Sequence, residues 1–260
     1  MIPLRDENPT RSTAYVTYAI IAVNVVVFLL QLASPEVGGI DTLSARFGMV
    51  PAAVLQVPPH RETGLPPRLI MFVRTENYEP AWVTLFTAMF LHGGWLHVLG
   101  NMWFLAIFGN NIEDRLGPAR FLIFYILAGL AAAAAHLFVN PASQVPTIGA
   151  SGAIAGVLGA YFVLYPGARV TTLIFLGFFI TTWVLPAGVV LGFWFLLQVL
   201  SQVLGGGMIQ DGGGVAYAAH IGGFAAGWLL IRLMAPPERR RPRYYGPPSY
   251  WPPDAPPGRG

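Results

Sequence analysis

The sequence predicts an all-α membrane protein built as a bundle of six transmembrane helices. Hydrophobic residues make up 55% of the 260 residues and charged residues only 10%, whereas a soluble domain carries about 25% charged residues. The mean hydropathy is +0.57. Six stretches are apolar over roughly the 20 residues that a helix needs to cross a bilayer. These observations argue against a soluble enzyme with a single anchor.

The six predicted spans differ in length and composition. Their ranges are 15–33, 81–108, 119–139, 149–165, 185–204 and 214–234. The second is long and interrupted by His92-Gly93-Gly94, and the fourth is short and rich in Gly and Ala. A further apolar stretch, 170–183, is interpreted as an interfacial loop, a re-entrant loop or an extension of the fifth helix.

Polar segments flank these spans and set their orientation. Residues 1–14 carry both signs of charge, and the apolar run that follows lacks a clear signal-peptide cleavage site, so the first span is predicted to be retained. Loops as long as 34–80 are usually either functional or disordered. The Pro- and Arg-rich tail 235–260 is predicted to be a disordered cytoplasmic extension that contacts anionic lipid through its Arg cluster.

The basic residues are all arginines, 15 in number. With the amino terminus inside, eleven of them fall in inner segments and four in the loop 34–80, which favours two cytoplasmic termini. The bias toward Arg over Lys suggests a GC-rich bacterial genome. The predicted location is therefore the bacterial plasma membrane, with any site near the outer helix ends opening to the outer side.

Ser151 opens the fourth span, within Gly149-Ala150-Ser151-Gly152. Gly152 and Gly156 form a small-xxx-small face, which lets helix backbones approach closely in lipid. One interpretation makes Ser151 another small packing residue. The other makes it a nucleophile at a helix amino terminus, where free N–H groups favour developing negative charge.

His220 lies in the sixth span at helical spacing from Gly223 and Gly227, so the three share one face. If that face packs on the fourth span, Ser151 and His220 come within hydrogen-bond reach. A buried histidine can equally be a structural hydrogen-bonding residue. A titratable side chain in a membrane helix is a functional candidate by default.

His97 and Asn101 are four residues apart in the second span and point the same way. Both side chains can donate hydrogen bonds without carrying charge, which suits an oxyanion pocket. Zinc is disfavoured, because His92 and His97 are five residues apart and no carboxylate accompanies them. Asp211 sits nine residues before His220, so the residues indicate a Ser–His dyad without a carboxylate. No cofactor and no metal are predicted.

Two further polar positions have structural interpretations. Glu113 and Arg115 follow the predicted second span at the inner face, and they are interpreted as an interfacial charge pair that fixes a loop. His136, near the outer end of the third span, is interpreted as structural or as a residue that lines the same cavity as Ser151.

The motifs together resemble those of the rhomboid intramembrane serine proteases, in a bacterial form. They are His92-Gly-Gly-Trp-Leu-His97-Val-Leu-Gly-Asn101, Glu113-Asp-Arg115, Gly149-Ala-Ser151-Gly152 and Ala219-His220-Ile-Gly-Gly223, in that order on the predicted spans. The resemblance covers residues 11–234. The stretch 170–183 and the tail depart from it.

The resemblance implies an intramembrane serine endopeptidase with a Ser–His dyad. Ser151 would be the nucleophile and His220 the base, His97 and Asn101 would stabilise the oxyanion, and Gly149 would allow the turn before the serine. The structural set would be His92, Glu113, Arg115, Gly152, Gly223 and Gly227. The implied partners are membrane-spanning protein substrates and the lipid bilayer, with no nucleic acid.

Two other classes compete with this hypothesis. A non-catalytic membrane-protein binder is disfavoured because such relatives typically lose the serine or the histidine. A small transporter that uses the histidines as a proton relay is disfavoured because no inverted repeat relates the two halves.

Overall fold

A computed structural model describes residues 1–37, 39–57, 80–177, 179–205 and 216–236. The longer α-helices in these ranges are α1 (Tyr15–Ala33), α5 (Trp95–Leu116), α6 (Pro118–Val139), α7 (Ser151–Leu164), α8 (Ala187–Gly205) and α9 (Tyr217–Met234). Short helices are α2 (Thr42–Phe47), α3 (Pro51–Val54) and α4 (Thr84–Thr87), and a 3-10 turn covers Ala88–Phe90. The strands are β1 (Ile2–Asp6), β2 (Glu36–Val37), β3 (Ile40–Asp41), β4 (Arg169–Leu176) and β5 (Phe179–Pro186).

Residues 38 and 58–79 of the predicted loop 34–80, nearly all of the predicted tail 235–260 and the connection before α9 lie outside the described ranges. By length and composition, three of the described helices could cross a bilayer: α1, α6 and α8. The helix α7 is apolar but has only 14 residues, and α5 and α9 lie where the second and sixth spans are predicted. The mainly helical membrane architecture is thereby confirmed, while the count of six spans stays a prediction.

The second span differs from its prediction at both ends. Gly94, with φ +152°, separates α5 from the short helical turns that precede it. The helix then continues beyond residue 108 to Leu116. Its polar residues Asn111, Glu113 and Arg115 have hydrogen-bond partners elsewhere in the protein. Glu113 and Arg115 therefore lie in the last turn of α5 and not in a loop.

The all-α prediction is wrong for residues 170–183, which form an antiparallel hairpin of β4 and β5. Gly177 makes the turn with φ +63°. The segment is rich in threonine and β-branched residues, which favour strands. In β4, burial alternates, with Val170, Thr172 and Ile174 on the covered face.

The amino-terminal segment completes this sheet, whose strand order is β1-β4-β5. Within residues 1–14, the polar segment before α1, residues 2–6 thus form an edge strand of the sheet. Asp6 accepts hydrogen bonds from Tyr161 Oη at 2.7 Å and from Asn111 Nδ2 at 2.8 Å. Burial raises the pKa of the Asp6 carboxyl above its ordinary value, and these two hydrogen bonds oppose that shift by favouring the charged form.

The helix α7 is the most enclosed of the described helices and packs against α5, α6 and α9. Ten of its 14 residues are buried, so this short helix faces protein on nearly every side. On α9, a Cβ added at Gly223 would collide with the Gly152 backbone, and one added at Gly227 would collide with the Gly156 backbone. The two helices therefore touch backbone to backbone, as small-xxx-small faces permit.

The bundle has two distinguishable ends. We call the end where α5, α7 and α9 begin the Ser151 end, and the end where these three helices finish the Glu113 end. Arg115, at the finish of α5, donates a hydrogen bond to the Pro236 carbonyl just after α9 at 2.6 Å. That bond fixes two of the three helices together at the Glu113 end.

Candidate active site

Ser151 and His220 meet at the Ser151 end of the bundle. The distance from Ser151 Oγ to His220 Nε2 is 2.8 Å, a hydrogen bond. Ser151 is the first residue of α7, and His220 lies in the first turn of α9. The glycine contact between these helices brings their backbones close enough for the two side chains to reach each other. The imidazole is buried, with 8% of its surface exposed.

Gln198 orients the imidazole from its other side. The distance from His220 Nδ1 to Gln198 Oε1 is 2.8 Å, and Gln198 Nε2 donates to the Trp194 carbonyl at 3.4 Å. The amide oxygen is thus the group that faces Nδ1, so the proton lies on Nδ1 and Nε2 can accept from the serine hydroxyl.

The Trp194 ring covers one face of the imidazole at 5.7 Å between centroids. Neither Trp194 nor Gln198 is in the set predicted from the sequence. One signal for Gln198 was available: it is an amide within an otherwise apolar span, and polar groups in spans mark functional positions.

His97 lies directly against the turn that precedes the serine. A Cβ at Gly149 would be 2.8 Å from His97 Nε2, and Gly149 has φ +131°, so this position requires glycine for space and for backbone conformation. The Gly93 N–H donates to His97 Nδ1 at 3.3 Å. That bond selects the tautomer in which Nε2 carries the proton and can donate next to Gly149.

Asn101 is one helical turn further along α5 than His97. Its side chain is 8% exposed, and its Nδ2 is a buried donor with no hydrogen-bond partner in the described part of the protein. A buried donor without a partner is costly in a folded protein and calls for an explanation. An acceptor that arrives only with a bound ligand would satisfy it.

His92 is held in place by a residue that sequence reasoning missed. Gln31 of α1 accepts from the His92 N–H at 2.9 Å and donates to the His92 carbonyl at 3.1 Å. The His92 ring then packs edge-on against His97, with 5.1 Å between centroids. His92 therefore supports the His97 ring and does not reach Ser151 through any described hydrogen bond.

A cavity of about 50 Å³ lies on the side of Ser151 that faces α6. Its polar lining includes His136 and Thr147, whose side chains are joined by a 3.0 Å hydrogen bond. A water molecule occupies about 30 Å³ in the liquid, so the cavity can hold one beside the serine. Of the two interpretations of His136, the structure places it in the lining of this cavity.

Glu113 and Arg115 have different partners from those predicted. Glu113 is buried, and its carboxylate accepts from Val16 N, Thr17 N and Thr17 Oγ1 at 2.9, 2.7 and 2.7 Å. It therefore satisfies the free N–H groups at the start of α1, where a negative charge also suits the helix dipole. Arg115 binds the Pro236 carbonyl instead. The interpretation as a charge pair that fixes a loop is wrong: the two residues tie α5 to α1 and to the end of α9.

The arrangement is suited to nucleophilic chemistry. The Ser151 hydroxyl faces the His220 imidazole as base, and the Gln198 amide orients that imidazole. Further hydrogen-bond donors are the N–H groups at the start of α7, the His97 imidazole and the unpaired Asn101 amide. No group of three or more His, Cys, Asp or Glu side chains that could hold a metal ion occurs among the described residues.

The fold and site together define a class: helical membrane proteins with a serine–histidine pair at the contact of two glycine-lined helices. The model of the Rhomboid domain matches residues 79–237, more than half of the chain. The chain belongs to the rhomboid family.

Similar proteins come from several kingdoms. RHOMBOID-like protein 1 of Arabidopsis thaliana is 31% identical over 64% of this chain and 39% of its own length. Rhomboid protein 1, mitochondrial, of Saccharomyces cerevisiae is 26% identical over 64% and 47%. Rhomboid protease GluP of Bacillus subtilis is 30% identical over 65% and 30%. The chain thus spans about half the length of these relatives, or less.

Proposed function

We propose that this protein is an intramembrane serine endopeptidase that hydrolyses peptide bonds within or near the transmembrane segments of other membrane proteins. The observation that carries the proposal is the 2.8 Å contact between Ser151 Oγ and His220 Nε2 inside a membrane helix bundle. Family membership supports it, as does a relative whose name includes rhomboid protease.

In the proposed reaction, Ser151 Oγ attacks the carbonyl carbon of the scissile bond while its proton passes to His220 Nε2. The tetrahedral intermediate collapses, the C–N bond breaks, and His220 returns the proton to the leaving amine. A water molecule then attacks the acyl ester, with His220 again as base, and releases the acid and the free serine. Gln198 holds the His220 imidazole in the tautomer that these reaction steps need, with the proton on Nδ1 and Nε2 free to accept.

The developing oxyanion needs donors, and we propose three sources at the Ser151 end of the bundle. They are the backbone N–H groups at the start of α7, the Nε2–H of His97 and the unpaired Nδ2 of Asn101. Preorganised donors of this kind stabilise charge more strongly in a water-poor site than in bulk water. The cavity beside His136 is a place from which the hydrolytic water can reach the ester.

The placement in the membrane follows the arginine distribution. We propose six spans with both termini in the cytoplasm, so that the Ser151 end faces the outer side of a bacterial plasma membrane. The substrates would be membrane-spanning proteins whose helices unwind locally, because a peptide bond in an intact helix is shielded from a nucleophile by its side chains.

A reconstituted cleavage assay tests the proposed function. The full chain in liposomes is mixed with a single-span substrate whose helix contains Gly and Pro near its outer end. We expect two fragments, with the new amino terminus mapped by mass spectrometry inside or within a few residues of the span. Cleavage of a soluble unfolded protein with no cleavage of the membrane substrate would contradict the proposal.

A further inference from the structure

The three-stranded sheet lies lengthwise along the helices and not across their ends. Trp103 Nε1 donates to the Pro3 carbonyl at 2.7 Å, and Asn111 Nδ2 donates to Asp6 at 2.8 Å. Along α5 these two side chains are about 12 Å apart, and Pro3 and Asp6 are about 10 Å apart along a strand. The two distances match only if β1 runs beside α5, with Asp6 toward the Glu113 end.

The sheet therefore reaches the depth of the candidate active site. Trp103 is only two residues, or about 3 Å along the helix axis, from Asn101. The hairpin extends further, because Ile2 pairs with Leu173 and β4 continues three residues past that point. If α5 crosses the bilayer, the hairpin must lie at the level of the acyl chains.

The sheet contacts both α5 and α8. The strand β1 contacts α5, while β4 and β5 contact α8. One face of β4 is buried, whereas β5 is exposed along most of its length. Phe179 and Ile180 are 77% and 65% exposed, and Trp183 is 50% exposed.

The chemistry of the exposed side indicates what covers it. Residues 170–210 contain no Asp, Glu, Lys or Arg, so α8 and the hairpin beyond its first residue, Arg169, are uncharged. Beyond Pro186, the chain enters α8 directly, and α8 exposes an apolar row of its own (Val189, Phe193, Leu196, Leu200). The exposed apolar surface thus continues from β5 to a helix long and apolar enough to cross a bilayer.

We propose that the hairpin of β4 and β5, beyond its charged base at Arg169, lies in the bilayer and that the exposed side of β5 contacts lipid acyl chains. Strand backbone is tolerated in hydrocarbon only where its polar groups are paired. The strand β4 pairs on both sides, and β1 lies against α5. The outer edge of β5 has no strand partner in the described part of the protein, and an unpaired edge is disfavoured in hydrocarbon. Positions on β5 are therefore the strictest test of the proposal.

The test uses the absence of native cysteine. Single-cysteine chains F179C and I180C are placed in phosphatidylcholine nanodiscs, which leave both membrane faces open to solution. The matched control is G167C, at the exposed base of the same hairpin, where a Cβ meets nothing within 4 Å. Each cysteine is reacted with a charged maleimide, and in a second sample with a bimane reporter.

We expect the cysteines at 179 and 180 to react at least about tenfold more slowly than the one at 167, because a charged reagent does not enter hydrocarbon. Bimane at 179 and 180 should be quenched by lipid with a nitroxide midway along its acyl chain, and bimane at 167 should not. Equal reaction rates together with weak quenching at all three positions would overturn the proposal and place the hairpin in water, open to a soluble partner. Neither readout involves proteolysis, so the outcome is independent of the proposed peptidase activity.

Discussion

Replacing Ser151 with Ala is expected to abolish cleavage of a membrane substrate, with a fall of roughly 10³-fold or more. The substitution removes the only oxygen that faces His220 Nε2 at hydrogen-bond distance among the described residues. The remaining donors could still bind the substrate carbonyl, but no nucleophile would attack it. The measurement is the initial rate of fragment formation in liposomes at a saturating substrate concentration.

Two controls separate lost chemistry from lost structure. Ser201→Ala removes a hydroxyl from α8, one helical turn beyond Gln198, and should retain the wild-type rate. The thermal unfolding curve of Ser151→Ala should match that of the unaltered chain, because the hydroxyl contributes one partly exposed hydrogen bond. Undiminished cleavage by the Ser151→Ala chain would show that Ser151 is not the nucleophile.

Gly227→Ala is expected to cause the largest loss of stability. The added methyl group would overlap the backbone carbonyl of Gly156, and no side-chain rotation can relieve a clash with backbone. The helices α7 and α9 must then separate, which costs roughly 3 kcal/mol or more. Because the same contact sets the distance between Ser151 and His220, cleavage should fall with stability. The measurement is the midpoint of thermal unfolding in detergent, followed by intrinsic fluorescence.

Gly100→Ala is the matched control for that prediction. Gly100 lies on an exposed face of α5, where an added Cβ meets no atom within 4 Å. The change should leave the midpoint unaltered or raise it, since alanine favours a helix over glycine by up to about 1 kcal/mol. If Gly227→Ala unfolds at the same temperature as Gly100→Ala, the two helices are not in backbone contact.

Much of the site follows from local patterns in the sequence. The spacing of His220, Gly223 and Gly227 places the histidine on a face without bulky side chains, and the glycines around Ser151 provide the complementary face. Such faces pack closely on few surfaces, which favours the pairing of these two helices without establishing it. The contact of His97 with Gly149 does not follow in this way. The predicted second span 81–108 has His97 near its middle, whereas the structure begins the helix at Trp95, just after Gly94.

Other features depend on contacts between distant residues, which no local pattern encodes. The pairing of β1 with β4 joins residues more than 160 positions apart. The run 170–183 has no periodicity that separates a strand from a buried helix, although its β-branched residues favour a strand. A charge within a span is costly, so the sequence favours an interfacial position for Glu113, just after the predicted second span. The start of α1 offers it three donors, and these offset that cost. Gln198 was overlooked because its partner lies on another helix.

The most direct test of the central claim, that His220 activates Ser151 across the contact of α7 and α9, is the rate of covalent labelling by a fluorophosphonate. The probe reacts with an activated serine and not with an ordinary one. The account predicts a single adduct on the peptide that contains Ser151, and its loss in a folded His220→Ala chain. Equal labelling of both chains, or an adduct found only on another serine, would contradict it.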